Sequence, residues 1–285
     1  MKSAGIDIGS RTVKLAIFED GRLLTAKKRE NSFDPLTVCR ELLAGEEFDC
    51  ITATGYGRHL FAEKTGANTV TELKANAAGA HWLFPSCRTV IDIGGQDTKA
   101  LSVDGEGRLL RFEMNDKCAA GTGRFIEVMA MALATQVADF APLAKASAQA
   151  YPISSTCTVF AESEVVSLIA RGVGRSEIAR GIVESIAVRT ASLAQRVGEA
   201  GEVLFAGGVA LNQAVVDALA ARLRVQLHVP EDPQIVAAIG CALQRNTAVR
   251  QADRADWLQR NQSRCIPEAR LPGGFFPKKK PPFTT

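Results

Sequence analysis

Two cysteines stand where sulfur could do chemistry. Cys118 lies in Asn115-Asp116-Lys117-Cys118-Ala119-Ala120-Gly121-Thr122-Gly123-Arg124-Phe125, a glycine-rich segment that runs into apolar residues at helical spacing (Phe125, Ile126, Val128, Met129, Leu133). Cys157 lies in Ser154-Ser155-Thr156-Cys157-Thr158-Val159-Phe160-Ala161-Glu162-Ser163-Glu164, again ahead of a helix, with Ser and Thr ready to cap it. At a helix N-terminus a cysteine meets orphan N–H groups and the positive end of the dipole, which favours the thiolate, the form that ligates metal. Two thiolates are half of a four-thiolate iron–sulfur site. A symmetric dimer giving two from each subunit is one way to complete it. The competing expectation is that both are small core residues, the ordinary fate of a lone cysteine. Cys39, Cys50, Cys87 and Cys241 sit in apolar-periodic contexts and read as core, and Cys265 near the C-terminal tail as incidental. Glu162 and Glu164 read as acids favoured by the dipole rather than as ligands.

A second chemistry is written in turns. Asp7-Ile8-Gly9-Ser10-Arg11-Thr12 and Asp92-Ile93-Gly94-Gly95-Gln96-Asp97 each end a hydrophobic strand with an Asp, followed by small residues. Such a turn lets backbone N–H groups approach an anion closely. One is weak evidence, but the pair could close on phosphates from both sides, with Asp7 and Asp92 holding Mg²⁺ through water. Gln96 and Asp97 would orient the attacking water or the metal shell. Lys14 could reach a phosphate or simply face solvent from a strand. Gly207-Gly208-Val209 between strand and helix suits a flat ring lying against backbone, although αβ turns use glycine anyway.

The elements that must position these residues repeat. Residues 3–8, Val13–Phe18 and Leu23–Lys27 read as strands, Phe33–Leu43 as a helix started by Asp34-Pro35, Cys50–Thr54 as a strand and Leu73–Phe84 as a helix. The pattern restarts after Pro85-Ser86 with strands at Thr89–Ile93, Thr98–Val103 and Leu109–Met114. Two β–turn–β–turn–β units, each opening on Asp-Ile-Gly, predict a duplication, each half a sheet flanked by helices. Helices are expected over 119–133, 135–147, 160–171, 175–198 and 233–243, with strands at 202–206 and 225–229. The expected division is 1–85, 86–250 and a Pro/Gly/Lys-rich tail 251–285, with one short helix over 253–260 and Lys278–Lys280 as a solvated end.

At 285 residues, with 46% hydrophobic and 23% charged residues, the chain fits a two-domain globular protein. A formal charge of +3 is too small to argue for nucleic acid, and no apolar run is long enough to span a membrane. The N-terminus enters a strand directly, so a cytoplasmic location with reduced thiols is expected for the seven scattered cysteines. Only His59, His81 and His228 are available, which disfavours a His-rich zinc site.

The three turns resemble the phosphate-1, phosphate-2 and adenosine motifs of the actin-like (ribonuclease H-like) ATPase superfamily, and the cysteine segments narrow the resemblance. They are similar to the BadF/BadG/BcrA/BcrD-type ATPases: activators of 2-hydroxyacyl-CoA dehydratases, ATPase subunits of benzoyl-CoA reductases and reductases of double-cubane cluster proteins. The likeness covers about residues 3–245. It implies a duplicated α/β actin-like fold with nucleotide between two domains, and a homodimer sharing one [4Fe–4S] cluster on Cys118 and Cys157 of each subunit. Carried over, nucleotide contacts fall on Gly9, Ser10, Arg11, Thr12, Lys14, Gly94, Gly95, Gln96, Gly207, Gly208, Val209, Ala210 and Gln234. The implied activity is ATP-driven one-electron donation, from reduced ferredoxin or flavodoxin to a dehydratase or reductase component. One departure is Glu72-Leu73-Lys74-Ala75-Asn76-Ala77, where the family often has His in place of Asn76. Asn keeps the hydrogen bond but cannot titrate. Two other classes stay open on the same fold: a small-molecule kinase such as an N-acetylhexosamine kinase, and a filament-forming actin relative.

Overall fold

A computed structural model describes residues 1–154, 157–198 and 201–244. The expected tail helix and Lys278–Lys280 lie outside the described residues. The chain opens with strands β1 (Lys2–Ile8), β2 (Thr12–Glu19) and β3 (Arg22–Glu30), then α1 (Pro35–Leu43), β4 (Cys50–Thr54), α2 (Arg58–Thr65), β5 (Asn68–Thr69) and α3 (Glu72–Leu83). The second unit has β6 (Cys87–Ile93), β7 (Thr98–Val103) and β8 (Leu109–Asn115), followed by α4 (Gly123–Ala132), α5 (Val137–Lys145), α6 (Thr158–Ala170) and α7 (Arg175–Val197). It ends with β9 (Glu202–Ala206), a 3-10 turn at Gly208–Leu211, α8 (Gln213–Leu223), β10 (Leu227–His228) and α9 (Val236–Leu243).

The duplication is visible in the topology. One sheet runs β3-β2-β1-β4-β5 and the other β8-β7-β6-β9-β10. In each, three antiparallel strands are followed by a strand parallel to the first, which in turn pairs in parallel with a short edge strand. β1 and β2 are apolar on both faces and nearly all buried, whereas edge strand β3 alternates with water. The tight β2–β3 turn places Asp20 and Gly21 at φ 49° and 87°, the paired positive φ that a two-residue hairpin needs. Asp34 starts α1, its carboxylate accepting from Thr37 N at 3.3 Å.

Between the sheets lie α3 and α9. Their shared core draws on Phe18 of β2, Trp82 and Leu83 of α3, Val90 of β6, Leu101 of β7 and Ile239 of α9. Phe18 and Trp82 meet edge-to-face at 5.1 Å. The helices cross where Gly79 and Gly240 leave no room for a Cβ. Thus α9, late in the chain, returns to pack on α3 and β1. Helix α2 carried no periodic signal because only Phe61 is buried on it. Among the described residues no single helix is long and apolar enough to cross a membrane.

Candidate functional site

Both Asp-Ile-Gly turns and the Gly207-Gly208 turn open onto one cleft of about 1630 Å³. Asp7, next to last in β1, lies directly across from Lys14 on β2, and Lys14 Nζ donates to Asp7 Oδ2 at 2.8 Å. The same register recurs in the second sheet, where Asp92 of β6 faces Lys99 of β7. Lys99 is 4% exposed and reaches three carboxylates: Glu72 at 2.6 Å, Asp97 at 2.7 Å and Asp92 at 3.6 Å. Asn76 Nδ2 donates to Asp92 Oδ2 at 2.9 Å, and the Tyr56 hydroxyl donates to Asp97 Oδ2 at 3.3 Å. Burial pushes the Asp92 and Glu72 carboxyls up, while the Lys99 charge pulls both back down. Burial, and after it the Asp97 charge, pushes the Tyr56 hydroxyl up to about 12. Four carboxylates facing two lysines leave an excess of negative charge in the cleft, the electrostatic condition for a divalent cation.

Of the expected nucleotide residues, Gly9, Ser10, Arg11, Thr12, Lys14, Gly94, Gly95, Gly207, Gly208, Val209 and Gln234 line this cleft together, as do Asp7, Asp92 and Asp97. Gln96 does not: Gly94 N bonds Asp97 O at 2.9 Å, and the closed turn leaves Gln96 exposed at its tip while Asp97 points inward to Lys99. Ala210 is buried beneath the lining. Gly207 has φ 87°, its N–H bonded to Pro233 O at 2.8 Å, and a Cβ there would come within 2.5 Å of Asp92 Oδ1. Lys28 of β3 donates to Asp232 Oδ1 at 2.9 Å and to Gln234 Oε1 at 3.0 Å, which turns the Gln234 amide nitrogen toward Gly208.

Taken singly, the sequence patterns do not mark Lys99, Glu72, Tyr56 or Lys28 as cleft residues. For Lys99 a signal was present. Asp7-Ile8-Gly9 is followed five residues later by Lys14, and Asp92-Ile93-Gly94 five residues later by Lys99, so the repeat is longer than its first three residues. Glu72 opens the Glu72-Leu73-Lys74-Ala75-Asn76-Ala77 motif, which does not reveal its partner, and Lys28 carries no signal, because the residues it binds are distant in sequence.

The two cysteines precede helices that pack on each other, α4 and α6. Cys157 is itself the residue before α6, extended at φ −104° and ψ 140° and without a side-chain cap bond. Cys118 lies earlier, in the loop entering α4. There the expected orphan N–H groups are already taken: Gly123 N and Arg124 N donate to Gly94 O and Gly95 O, both at 2.9 Å. Helix α4 is thus seated on the second Asp-Ile-Gly turn. Both cysteines are half-buried, whereas Cys39, Cys87 and Cys241 are buried. Burial pushes the Cys39 thiol up to about 12 and the Cys87 thiol up to about 11. Cys50, expected in the core, is half-buried at the start of β4. Among the described residues no cluster of three or more His, Cys, Asp or Glu is placed to hold a metal ion. Beside Cys157, α6 exposes Val159, Phe160, Val166 and Ile169.

Solved structures share this architecture. Component A of (R)-2-hydroxyglutaryl-CoA dehydratase from Acidaminococcus fermentans superposes with a TM-score of 0.80 at 40% identity, covering 85% of this chain and 96% of that one. The activator of the 2-hydroxyisocaproyl-CoA dehydratase from Clostridium difficile, solved with bound ADPNP, gives 0.79 at 37% identity over 95% and 100% of the two chains. A glucokinase from Streptomyces griseus, at 15% identity and a TM-score of 0.53, shares the fold alone. The fold is that of the actin-like ATPases. In sequence, the activator of lactoyl-CoA dehydratase from Anaerotignum propionicum is 42% identical over 252 residues, 85% of this chain and 96% of that protein. A component of benzoyl-CoA reductase from Thauera aromatica is 31% identical over 262 residues, 85% of this chain and 92% of that one. Residues 4–244 match the BadF/BadG/BcrA/BcrD ATPase family, and the chain belongs to it.

Proposed function

We propose that this protein is an ATP-dependent one-electron donor that activates a 2-hydroxyacyl-CoA dehydratase. The observation that carries the reading is the seating of α4 on the second phosphate-side turn, with Cys118 on the loop that enters the same helix. The acceptor follows the closer relatives: 42% identity to a dehydratase activator against 31% to a benzoyl-CoA reductase component.

In this reading Gly9–Thr12 and Gly94–Gly95 cradle the phosphates of ATP, and Gly207–Val209 with Gln234 hold the adenosine. Asp7 and Asp92 are already bonded to Lys14 and Asn76, which suits them to hold Mg²⁺ through water rather than directly. Asp97 orients the attacking water, its own carboxylate fixed by Lys99 and Tyr56. Half-buried Cys118 and Cys157 fit two ligands of a [4Fe–4S] cluster, and a second copy of the chain supplies the other two. The exposed apolar residues of α6 beside Cys157 support that homodimer. When bound, the cluster supplies a one-electron carrier whose potential depends on exposure, local charge and hydrogen bonds to sulfur. The chain changes those conditions by closing its cleft on ATP, which must bind the closed and open forms differently to drive the change. Reduced ferredoxin or flavodoxin is the electron source in this scheme, and the two closing domains are those that meet after residue 85.

The test is anaerobic purification with iron and sulfide analysis and an EPR spectrum after dithionite reduction. About four irons per dimer, with electron transfer to the dehydratase that stops without ATP, supports the reading. Transfer at full rate without ATP sinks it. Iron-free protein with intact ATP binding would favour the kinase class.

A further inference from the structure

Glu127 is on α4, one turn after the helix begins, yet its partner comes from the opposite sheet. Arg11 of the first Asp-Ile-Gly turn donates from Nη2 to Glu127 Oε1 at 2.7 Å. The other carboxylate oxygen accepts from Arg124 Nη1 at 3.0 Å, three residues back on the same helix. Glu127 is therefore oriented by its own helix before Arg11 arrives. Arg11 reaches it by passing over Gly95: a Cβ on Gly95 would lie 2.5 Å from Arg11 Cγ and 3.1 Å from Ser10 Oγ. The base of α4 thus meets both phosphate-side turns at one point, through backbone bonds to Gly94 and Gly95 and through the Arg11–Glu127 pair.

On its other side the base of α4 leads straight to sulfur. Thr122 N and Thr122 Oγ1 both donate to Ala119 O, at 3.0 and 2.6 Å, so the loop after Cys118 is a compact turn joined to the helix start. A shift of α4 carries that turn with it. Arg11 is half exposed, and a guanidinium has five donors, so it can take a phosphate oxygen while competing for, or sharing, Glu127.

We propose that Glu127 is a positioning residue that couples the phosphates of a nucleoside triphosphate at the first turn, through Arg11 and α4, to the placement of Cys118. This rests on the proposed function only in taking Cys118 as a cluster ligand. The coupling itself concerns the chain's own residues. Arg11 and Arg124 are about half exposed, so their pairs with Glu127 contribute little to stability, and Glu127→Gln keeps a hydrogen-bonding group of the same size in place.

The test reads the thiol directly. Full-length chain without cluster is alkylated with iodoacetamide, with no nucleotide, with Mg-ADP and with a non-hydrolysable Mg-ATP analogue, and modification of Cys118 is followed by peptide mass spectrometry. Half-buried Cys50 on β4 is the internal reference. In the wild type the ATP analogue is expected to change the Cys118 rate at least about fivefold relative to Cys50. In Glu127→Gln, read with the analogue at saturation, the change should fall below about twofold. In Arg124→Gln, which keeps the Arg11 pair, most of the response should remain. Three results would overturn the proposal: no nucleotide response in the wild type, a full response in Glu127→Gln, or an equal loss in Arg124→Gln. Iron content of the same variants, reconstituted anaerobically, separates a failure of the coupling from a failure of the cluster assignment.

Discussion

Replacing Lys99 by Met should expose how the second half of the cleft is held together. Lys99 is almost fully buried, and Asp97, Asp92 and Glu72 around it have side-chain exposures of 7%, 13% and 19%. Removing the ammonium strands three carboxylates in a site that water barely reaches. Breaking a buried ion pair by deleting one partner costs about 3–5 kcal/mol. The lower end applies, because Asn76 and Tyr56 keep their hydrogen bonds to Asp92 and Asp97. At roughly 2–4 °C per kcal/mol, Tm should drop by about 6–12 °C near pH 8. The drop should shrink on acidification. Burial already pushes the Glu72 and Asp92 carboxyls up, and Lys99 opposes that shift. Without Lys99 their folded-state values rise further. A carboxyl raised on folding contributes stability that is full below its unfolded value near 4 and is lost as pH rises through the folded value. Each one that takes up a proton returns about 1.4 kcal/mol per pH unit over that window. The assay is thermal unfolding by circular dichroism from pH 8 to pH 5.5, wild type against Lys99→Met, without nucleotide. A loss under about 2 °C at pH 8, or a loss equal at both ends of the range, would refute the picture of three carboxylates paired with one lysine.

Gly207→Val should abolish nucleotide binding in equilibrium titration. Its φ of 87° costs a branched residue about 1–2 kcal/mol or more, and its Cβ would press on Asp92 Oδ1. Asn212→Ala should lower stability by about 1 kcal/mol in urea titration, because the Asn212 carboxamide caps α8 through Ala214 N and Val215 N. Cys118→Ser and Cys157→Ser should each lose iron on anaerobic reconstitution, whereas Cys87→Ser, buried and distant in the sheet core, should keep it and lose only stability.

The repeated β–turn–β–turn–β units were legible because they are local. Alternation, apolar runs and the Asp-Ile-Gly punctuation lie within about a dozen residues, and the two sheets that form from them share one strand order. The turns that line the cleft were legible for the same reason, since small residues after a strand advertise a backbone that must approach something closely. Helix α2 was not, because one buried side chain leaves no period to detect. The environment of Cys118 was misjudged in one respect. From sequence alone the N–H groups at the start of α4 are orphans, but in the fold they are claimed by Gly94 and Gly95, carbonyls almost thirty residues away.

The parts are written in the chain order: two matched Asp-Ile-Gly turns, a glycine turn, two cysteines before helices, and a family membership carried by their succession. Which of these parts touch follows from the packing of the two sheets. Lys99 gathers Glu72 from α3 with Asp92 and Asp97 of its own hairpin, and Arg11 crosses from one sheet to Glu127 on the other sheet's helix. Strand and turn preferences act between neighbours in sequence and are written there. Ion pairs and packing act through space, and the residues they join become neighbours only when two sheets close on the shared core of α3 and α9.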